Sequence, residues 1–403
     1  IAIERSNAQK GEHAVFLSGN FPLVQVLQEA LARDKVEQEK QHGHRVAKSD
    51  ALRSTSAFIQ IIHKYRDSFV GNRNVPPERV AIFDEAQRSW TQDMLAKFML
   101  TKKGVPNFLH SEPEFLISTM DRHMDWAVII CLVGGGQEIN TGEAGLPEWF
   151  DSLRRAFPHW DVYITPQLND EEYRRDQQWN KMISDLRIYE REKLHLSTSI
   201  RSFRTPDMAA FVKAILDADT ERARLLWCQI RDKYPIVITR DLSKAKEWIK
   251  VRCQGTTRYG LLASSGALRL KPEGIFVKNE VSVANWFLNG KDDVRSSYAL
   301  EDVVTEFDIQ GLELDYSIVA WDADYRFEEG RWAYYGFVGN RWNNVASAEK
   351  RLYLKNAYRV LLTRARQGMA VFVPVGSDND ITRNRRFYDG TYEYLRALGV
   401  EEI

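Results

Sequence analysis

Cysteine is scarce. Cys131, Cys228 and Cys253 are the only three in 403 residues, and their scattered spacing fits neither a disulfide framework nor a zinc-ligand pattern. Their expected role is that of small apolar residues packed in a reducing compartment, which predicts a cytoplasmic protein. Long apolar runs are missing as well: the longest, Trp126 to Val133, is far too short to cross a bilayer, and no signal-peptide pattern opens the sequence. No membrane partner is expected. Charge of one sign is absent, since Lys plus Arg and Asp plus Glu number 56 each. Net charge therefore points neither to nor away from nucleic acid, and such a partner would need a local basic groove. None of the eight histidines shows ligand spacing, and His42 and His44 read as loop.

What remains is an ordinary globular composition, 44% hydrophobic and 28% charged, in a chain long enough that two domains are the default. His13-Ala-Val-Phe-Leu17 reads as a strand, followed by Ser18-Gly19-Asn20 and a helix from Pro22. Residues 33 to about 75 are polar and read as an insertion over the sheet, with one amphipathic helix near Ser56 to Tyr65. A strand at 79–83, helices over Trp90–Leu100 and Glu112–Met120, and a strand at Trp126–Val133 follow. After a polar stretch the pattern restarts, with a strand near Lys193–Leu196 and helices at Pro206–Leu216 and Thr220–Tyr234. Strands are read at 236–240 and 259–263, a helix at 243–252, strands at 303–309 and 316–321, a helix at 348–366, and a late strand at 369–375. Strands alternating with helices of this length predict parallel sheets joined by right-handed crossovers. The expected fold class is α/β, two tandem domains covering 1–197 and 198–403.

The stretch "AIFDEAQRSW" (81–90) carries the first chemical signal. Val80-Ala-Ile-Phe83 is short, apolar and free of polar alternation, as a strand buried on both faces would be. Its end presents Asp84 and Glu85. In open α/β sheets the carboxyl ends of strands are where ligands bind, so adjacent acids there form a candidate metal and general-base site. The competing reading makes Asp84 the cap of a helix beginning at Glu85.

Further stretches, in chain order, resemble the motifs of superfamily 1 helicases, motors built from two RecA-like domains of the P-loop NTPase superfamily. "FDEAQ" (83–87) resembles motif II, which implies that Asp84 holds magnesium and Glu85 orients the attacking water. "GGGQE" (134–138) resembles motif III, with Gln137 sensing the γ-phosphate. "SIRS" (199–202) resembles motif IV, with Arg201 as its arginine and Arg204 the alternative. "TEFDIQGLEL" (305–314) resembles motif V. It implies that Gly311 and Glu313 lie near the nucleotide ribose and that the preceding segment, with Thr305, lies near the nucleic acid. "YRVLLTRAR" (358–366) resembles motif VI, with Arg364 as its arginine. Ser18 and Asn20 stand where motif Ia touches single-stranded backbone. The resemblance spans nearly the whole chain and implies ATP and Mg2+ as cofactors, single-stranded DNA or RNA as partner, and acids and arginines on opposite walls of one crevice. "LVGGGQEINTGEAG" and "EFDIQGLELDYSIVAWDADY" are most similar to the helicase-like domain shared by bacterial DNA/RNA-helicase-like proteins and the C-terminal part of long Schlafen proteins, some relatives of which carry nuclease domains or act in antiviral defence.

Two departures stand out. No G-x-x-x-x-G-K-[ST] occurs; Gly290-Lys291 is followed by Asp292 and lacks the upstream glycine. "IAIERSNAQKGEH" reads as the tail of the helix that follows such a loop, so the expectation is a natural chain that begins further upstream. Gln310 stands where related helicases often have lysine. The alternative to a motor is a nucleic-acid-binding or NTP-gated regulatory module without turnover of its own. Trp90, Trp286, Trp332, Tyr334, Tyr335 and Trp342 are candidate base platforms, and "RNRR" (383–386) is a candidate phosphate contact.

Overall fold

A computed structural model describes residues 13–134, 145–169, 179–196 and 207–403. The chain divides into two compact units, Ile1–Thr198 and Ser199–Ile403.

The first unit is organised by a sheet in the order β2-β1-β3-β4, with every pair parallel. It comprises β1 (His13–Ser18), β2 (Ile59–Ile61), β3 (Glu78–Asp84) and β4 (Val128–Cys131). Val15, Leu17, Ala81 and Phe83 are fully buried, as the unbroken apolar runs require. Helix α1 (Phe21–Gln41) starts where Asn20 accepts the Leu23 N–H at 3.2 Å, with Pro22 in its first turn. The segment read as an insertion is instead part of the core. The stretch expected to be one helix from Ser56 to Tyr65 is divided among α2 (Lys48–Phe58), strand β2 and α3 (Ile62–Phe69). Pairing of Ile59 with Phe16 captures the β-branched Ile-Gln-Ile run and overrides its helical spacing. Helices α4 (Gln92–Lys103), α5 (Glu112–Met120) and α6 (Gly145–Ala156) follow. A separate parallel pair, β5 (Asp161–Ile164) and β6 (Arg187–Glu190), flanks the short α7 (Trp179–Ile183). The strand expected near Lys193–Leu196 is displaced to β6, because Ile188 and its neighbours find β5 as a partner while 192–194 close a 3-10 turn.

The second unit is built on α8 (Asp207–Leu216), α9 (Thr220–Ile230), β7 (Ile236–Thr239), α10 (Leu242–Arg252), β8 (Tyr259–Ala263), α11 (Val283–Leu288), β9 (Val303–Val304) and β10 (Leu314–Ala320). Beyond these lie β11 (Tyr325–Glu328), β12 (Arg331–Val338), β13 (Arg341–Asn344), α12 (Ala348–Leu362), β14 (Ala365–Phe372), α13 (Arg386–Ala397) and β15 (Glu401–Glu402). The main sheet runs β15-β7-β14-β10-β8-β9, again parallel throughout. Gly260 in β8 is required by close packing: a Cβ there would lie 2.4 Å from the Trp286 ring. The strand expected over 303–309 stops at Val304, since Thr305 N–H and Oγ1 both turn back to Asp308 Oδ2. The helix expected over 348–366 stops at Leu362. The carbonyl of Arg364 accepts the Leu314 N–H, and that of Ala365 accepts the Tyr234 hydroxyl, so the sheet has claimed this backbone.

Strands β11, β12 and β13 form a small antiparallel sheet that contains the aromatic stretch 331–342. It corrects part of the base-platform reading. Trp286 and Trp332 are core residues whose indole N–H groups donate to the carbonyls of Asp302 and Ile215. Arg383 of the "RNRR" run is buried and ion-paired with Glu273, so it is no surface phosphate contact. Among the described residues no helix is long and apolar enough to cross a membrane.

Candidate functional site

In the first unit, β1, β3 and β4 all end at one edge, and the acidic motif sits there. Ser18 pairs in register with Asp84, and its Oγ donates to Asp84 Oδ2 at 3.2 Å. Glu85 has φ 53 and ψ 44, the left-handed region, which costs a non-glycine residue on the order of 1 kcal/mol. Strain of that kind concentrates at functional positions. The turn is held open by its surroundings: the Ala86 N–H donates to the Leu132 carbonyl at 2.9 Å, and the Trp149 indole N–H to the Ala86 carbonyl at 2.8 Å. Only a 3-10 turn, Ala86–Arg88, follows, with no side-chain cap, so helix capping does not account for Asp84.

Gln87 is a site residue that the sequence reading did not single out. Buried at 7% exposure, its Nε2 donates to Glu85 Oε2 at 2.6 Å while its Oε1 accepts the Gly134 N–H at 3.2 Å. One amide therefore fixes the Glu85 carboxylate and ties it to the start of the "GGGQE" run. A carboxamide is suited to this because it donates and accepts at once. The available signal was its position two residues beyond Glu85, where a turn can return the side chain to the carboxylate.

Ser18 and Asn20 are corrected as nucleic-acid contacts. Both side chains face inward, at 0% and 6% exposure, where they brace Asp84 and cap α1. Thr305 is corrected likewise: it is buried and its hydroxyl is committed to Asp308. Gln137, Arg201 and Arg204 lie outside the described residues.

The second unit brings two of its candidates together. Glu313 and Arg364 immediately precede the parallel strands β10 and β14, and the Leu314 N–H to Arg364 carbonyl bond of 3.0 Å joins them at the N-terminal edge of the sheet. Gly311, at φ 74, supplies the left-handed turn that leads into β10. The Arg364 side chain is buried, with Nε donating to the Val360 carbonyl at 3.3 Å. Thr305 is not near them. Val304 is level with Leu262 and Leu262 with Val319, five residues along β10 from Leu314, or roughly 16 Å.

At that opposite edge lies a buried acidic group that the sequence reading missed. Asp324 accepts from the Ser264 and Tyr358 hydroxyls, each at 2.6 Å; Asp322 accepts from the Arg269 N–H at 2.8 Å and the Tyr388 hydroxyl at 3.0 Å. Burial and the neighbouring Asp324 push Asp322 up to about 7, and burial raises Asp324 and Glu306 as well. A raised acid binds more protons folded than unfolded, so stability is greatest at low pH and is lost as pH climbs from the unfolded value through the folded one. The second unit should therefore lose stability between about pH 4 and 7, by at most about 1.4 kcal/mol per pH unit for each retained proton. Thermal unfolding followed across that range should show the slope, and Asp322→Asn should flatten it.

Among the described residues no three His, Cys, Asp or Glu side chains converge as a metal cluster. The donors at the first site are the Asp84 carboxylate and the Ser18 hydroxyl. That small oxygen set suits magnesium, which keeps several waters and takes one or two carboxylates together with phosphate oxygens.

Compared with known proteins, residues 1–375 match the profile of the Schlafen group 3, DNA/RNA helicase domain. No curated protein matches the chain in sequence. Among solved structures the chain is similar to a variant of S. cerevisiae Dbp5 bound to RNA and ADP BeF3, at 9% identity and a TM-score of 0.28, covering 100% of this chain and 80% of that one. It is also similar to a DEAD box protein from the hyperthermophile Methanococcus jannaschii, at 10% identity and a TM-score of 0.23, covering 100% of this chain and 83% of that one.

Proposed function

This chain belongs to the Schlafen group 3 DNA/RNA helicase domain family, and we propose that within that helicase-like, nucleic-acid-related role it is the core of an ATP-driven motor acting on single-stranded DNA or RNA. The observation that carries the reading is the Asp84-Glu85-Gln87 turn: two adjacent acids at the carboxyl edge of a parallel sheet, one in a left-handed backbone conformation and locked by an amide to the next strand's end.

Phosphoryl transfer asks little covalent chemistry of a protein; it needs charge neutralisation and an aligned nucleophile. Asp84 would hold the magnesium, with Ser18 beside it, and the ion when bound neutralises charge on the phosphate oxygens. Glu85 accepts the proton of the attacking water and sets its direction. Gln87 keeps the Glu85 carboxylate from rotating and conveys its state to the 134–138 segment, where Gln137 reads the γ-phosphate. Gly311 and Glu313 contact the ribose. Arg201 and Arg364, with Arg204 as the alternative to Arg201, stabilise the charge of the transition state.

The test is ATP hydrolysis by the full-length protein with and without single-stranded nucleic acid. The motor reading requires stimulation by the strand and loss of turnover in Glu85→Gln. Strand binding that persists with no hydrolysis at all would favour the regulatory module instead. Gln87→Leu keeps the side-chain volume but removes both hydrogen bonds. It is expected to lower kcat about tenfold, the usual cost of removing a group that orients a catalytic ligand, while nucleotide affinity stays within a factor of two or so. An unchanged kcat would remove Gln87 from the mechanism.

A further inference from the structure

In the second unit the aromatic stretch of β12 has two unlike faces. Successive strand residues point to opposite sides and cross-strand partners share a side, so Trp332, Tyr334, Gly336 and Val338 lie on one face with Asn343, the partner of Gly336, and Arg341, the partner of Val338. At its inner end this face is core: the Trp332 ring stacks on Tyr325 at 4.4 Å between centroids, and Tyr325 meets Tyr334 at 5.2 Å. Toward the hairpin tip it opens. Val338 is 67% exposed, and a Cβ on Gly336 would meet no atom of the described residues within 4 Å. The fold places no demand for glycine there, since no neighbour crowds the position and its φ is not left-handed. Glycine weakens a strand interior, and where packing does not call for it the bare backbone marks a place that a ligand approaches closely. The opposite face is closed: the Arg326 guanidinium lies 4.0 Å from the Tyr335 centroid and 5.1 Å from that of Trp342, and the Arg269 guanidinium 5.3 Å from that of Phe337. Charge is also uneven here. Residues 338–352 carry three cations, Arg341, Lys350 and Arg351, against one acid, Glu349, whose carboxylate accepts the Tyr353 hydroxyl at 2.7 Å. The Arg351 guanidinium lies 5.9 Å from the Tyr334 centroid and donates only to neutral oxygens, the Val345 carbonyl at 2.5 Å and Asn344 Oδ1 at 3.4 Å. Among the described residues the Arg341 and Asn343 side chains have no hydrogen-bond or ion-pair partner.

We infer that this face of the β12–β13 hairpin is a platform for one unstacked base of single-stranded DNA or RNA, seated over the bare Gly336–Asn343 pair between Tyr334 and Val338. Those two side chains stand four residues apart, roughly 13 Å along the strand, and the glycine between them leaves the floor flat. Tyr334 supplies the aromatic contact, and its stacking on the core aromatics fixes it beforehand, so little freedom is lost when a base arrives. The Asn343 amide donates and accepts at once and can meet a base edge. Arg341 at the Val338 end and Arg351 at the Tyr334 end carry the uncompensated charge that the flanking phosphates require. The inference rests on the nucleic-acid side of the function proposed above and does not depend on ATP turnover.

The test uses the 403-residue chain and a fluorescein-labelled oligothymidylate of about 15 nucleotides, read by fluorescence anisotropy without ATP. Gly336→Val puts a good strand former into open space and fills the seat, so it should keep the fold, checked by thermal unfolding, and raise Kd at least about tenfold. Arg341→Glu should weaken binding to a similar extent, whereas Lys244→Glu, the same change of charge on the exposed side of α10, should leave Kd within about twofold. An oligonucleotide with 5-iodouracil at its centre should attach on irradiation to residues 334–343, located by mass spectrometry. No binding by the parent, equal affinity of Gly336→Val and the parent, a crosslink confined to other segments, or equal competition by polyglutamate, which would mark a general polyanion surface, would each overturn the inference. The two readings fail separately: binding lost in Gly336→Val with no ATP hydrolysis by the full-length protein keeps the platform and removes the motor, and strand-stimulated hydrolysis with binding unchanged in Gly336→Val does the reverse.

Discussion

Glu85→Gln should lower nucleic-acid-stimulated ATP hydrolysis by at least about 100-fold, the range associated with losing a positioned proton acceptor, while nucleotide binding changes little. The substitution is nearly isosteric. The amide oxygen of glutamine can still accept from Gln87 Nε2, which bonds to Glu85 Oε2 at 2.6 Å, so the turn keeps its internal link. What the amide lacks is the ability to take a proton from water. The left-handed backbone at φ 53 is no worse for glutamine than for glutamate, so a large stability loss is not expected, and circular dichroism of the variant should superimpose on that of the parent. The effect should appear in kcat, since the interaction exists only when water is attacking. Turnover within tenfold of the parent would show that Glu85 is a structural turn residue and would withdraw the catalytic assignment.

Much of this arrangement is legible in the sequence, for physical reasons that differ from place to place. Strands such as Val80–Phe83 and Tyr259–Ala263 are readable because a parallel strand buried on both faces must be a continuous apolar run, and Glu112–Met120 because Ser111 and Pro113 mark its start. The acidic turn is readable because its chemistry lies in adjacent residues. Ile59–Ile61 is not readable, since its strand character comes from pairing with residues more than forty positions earlier. Nor is the fate of Ser18 and Asn20: hydroxyl and amide groups in a βα turn serve equally as surface contacts or as internal braces, and only the burial of their side chains decides. The Asp322–Asp324 pair escaped because sequence alone gives no measure of how deeply two aspartates after a strand are buried.

The largest stability effect is expected at a buried ion pair behind the acidic turn. Arg66 is fully buried, and its Nη1 donates to Glu112 Oε1 at 2.8 Å; its Nε and Nη2 reach Asp67 Oδ1 at 3.1 and 2.9 Å, and its guanidinium lies 5.3 Å from the Trp90 ring centroid and 5.1 Å from that of Phe98. Burial works against the Glu112 carboxylate, but the hydrogen bond from His63, the charges of His63 and Arg66, and the Trp90 N–H outweigh it and hold its pKa below the usual range. The same carboxylate fixes the chain beyond the turn, because Trp90 N–H donates to Glu112 Oε2 at 3.0 Å and the Glu112 N–H donates to the Trp90 carbonyl at 3.0 Å. Glu112→Ala leaves a buried cation without its main partner and should cost about 3 to 5 kcal/mol of unfolding free energy, read from urea denaturation of the first unit's transition. Replacing both groups, Arg66→Met with Glu112→Leu, removes the charges together and should recover most of that loss, since a buried pair contributes little net stability over well-packed apolar side chains of similar volume. The double variant still lacks the acceptor for the Trp90 N–H. Hydrogen exchange at residues 85–90 should therefore stay faster than in the parent even where global stability is restored, which separates the role of Glu112 in positioning the turn from its role in balancing Arg66. Equal losses in the single and double variants would mean that packing volume, not charge, sets the stability of this corner.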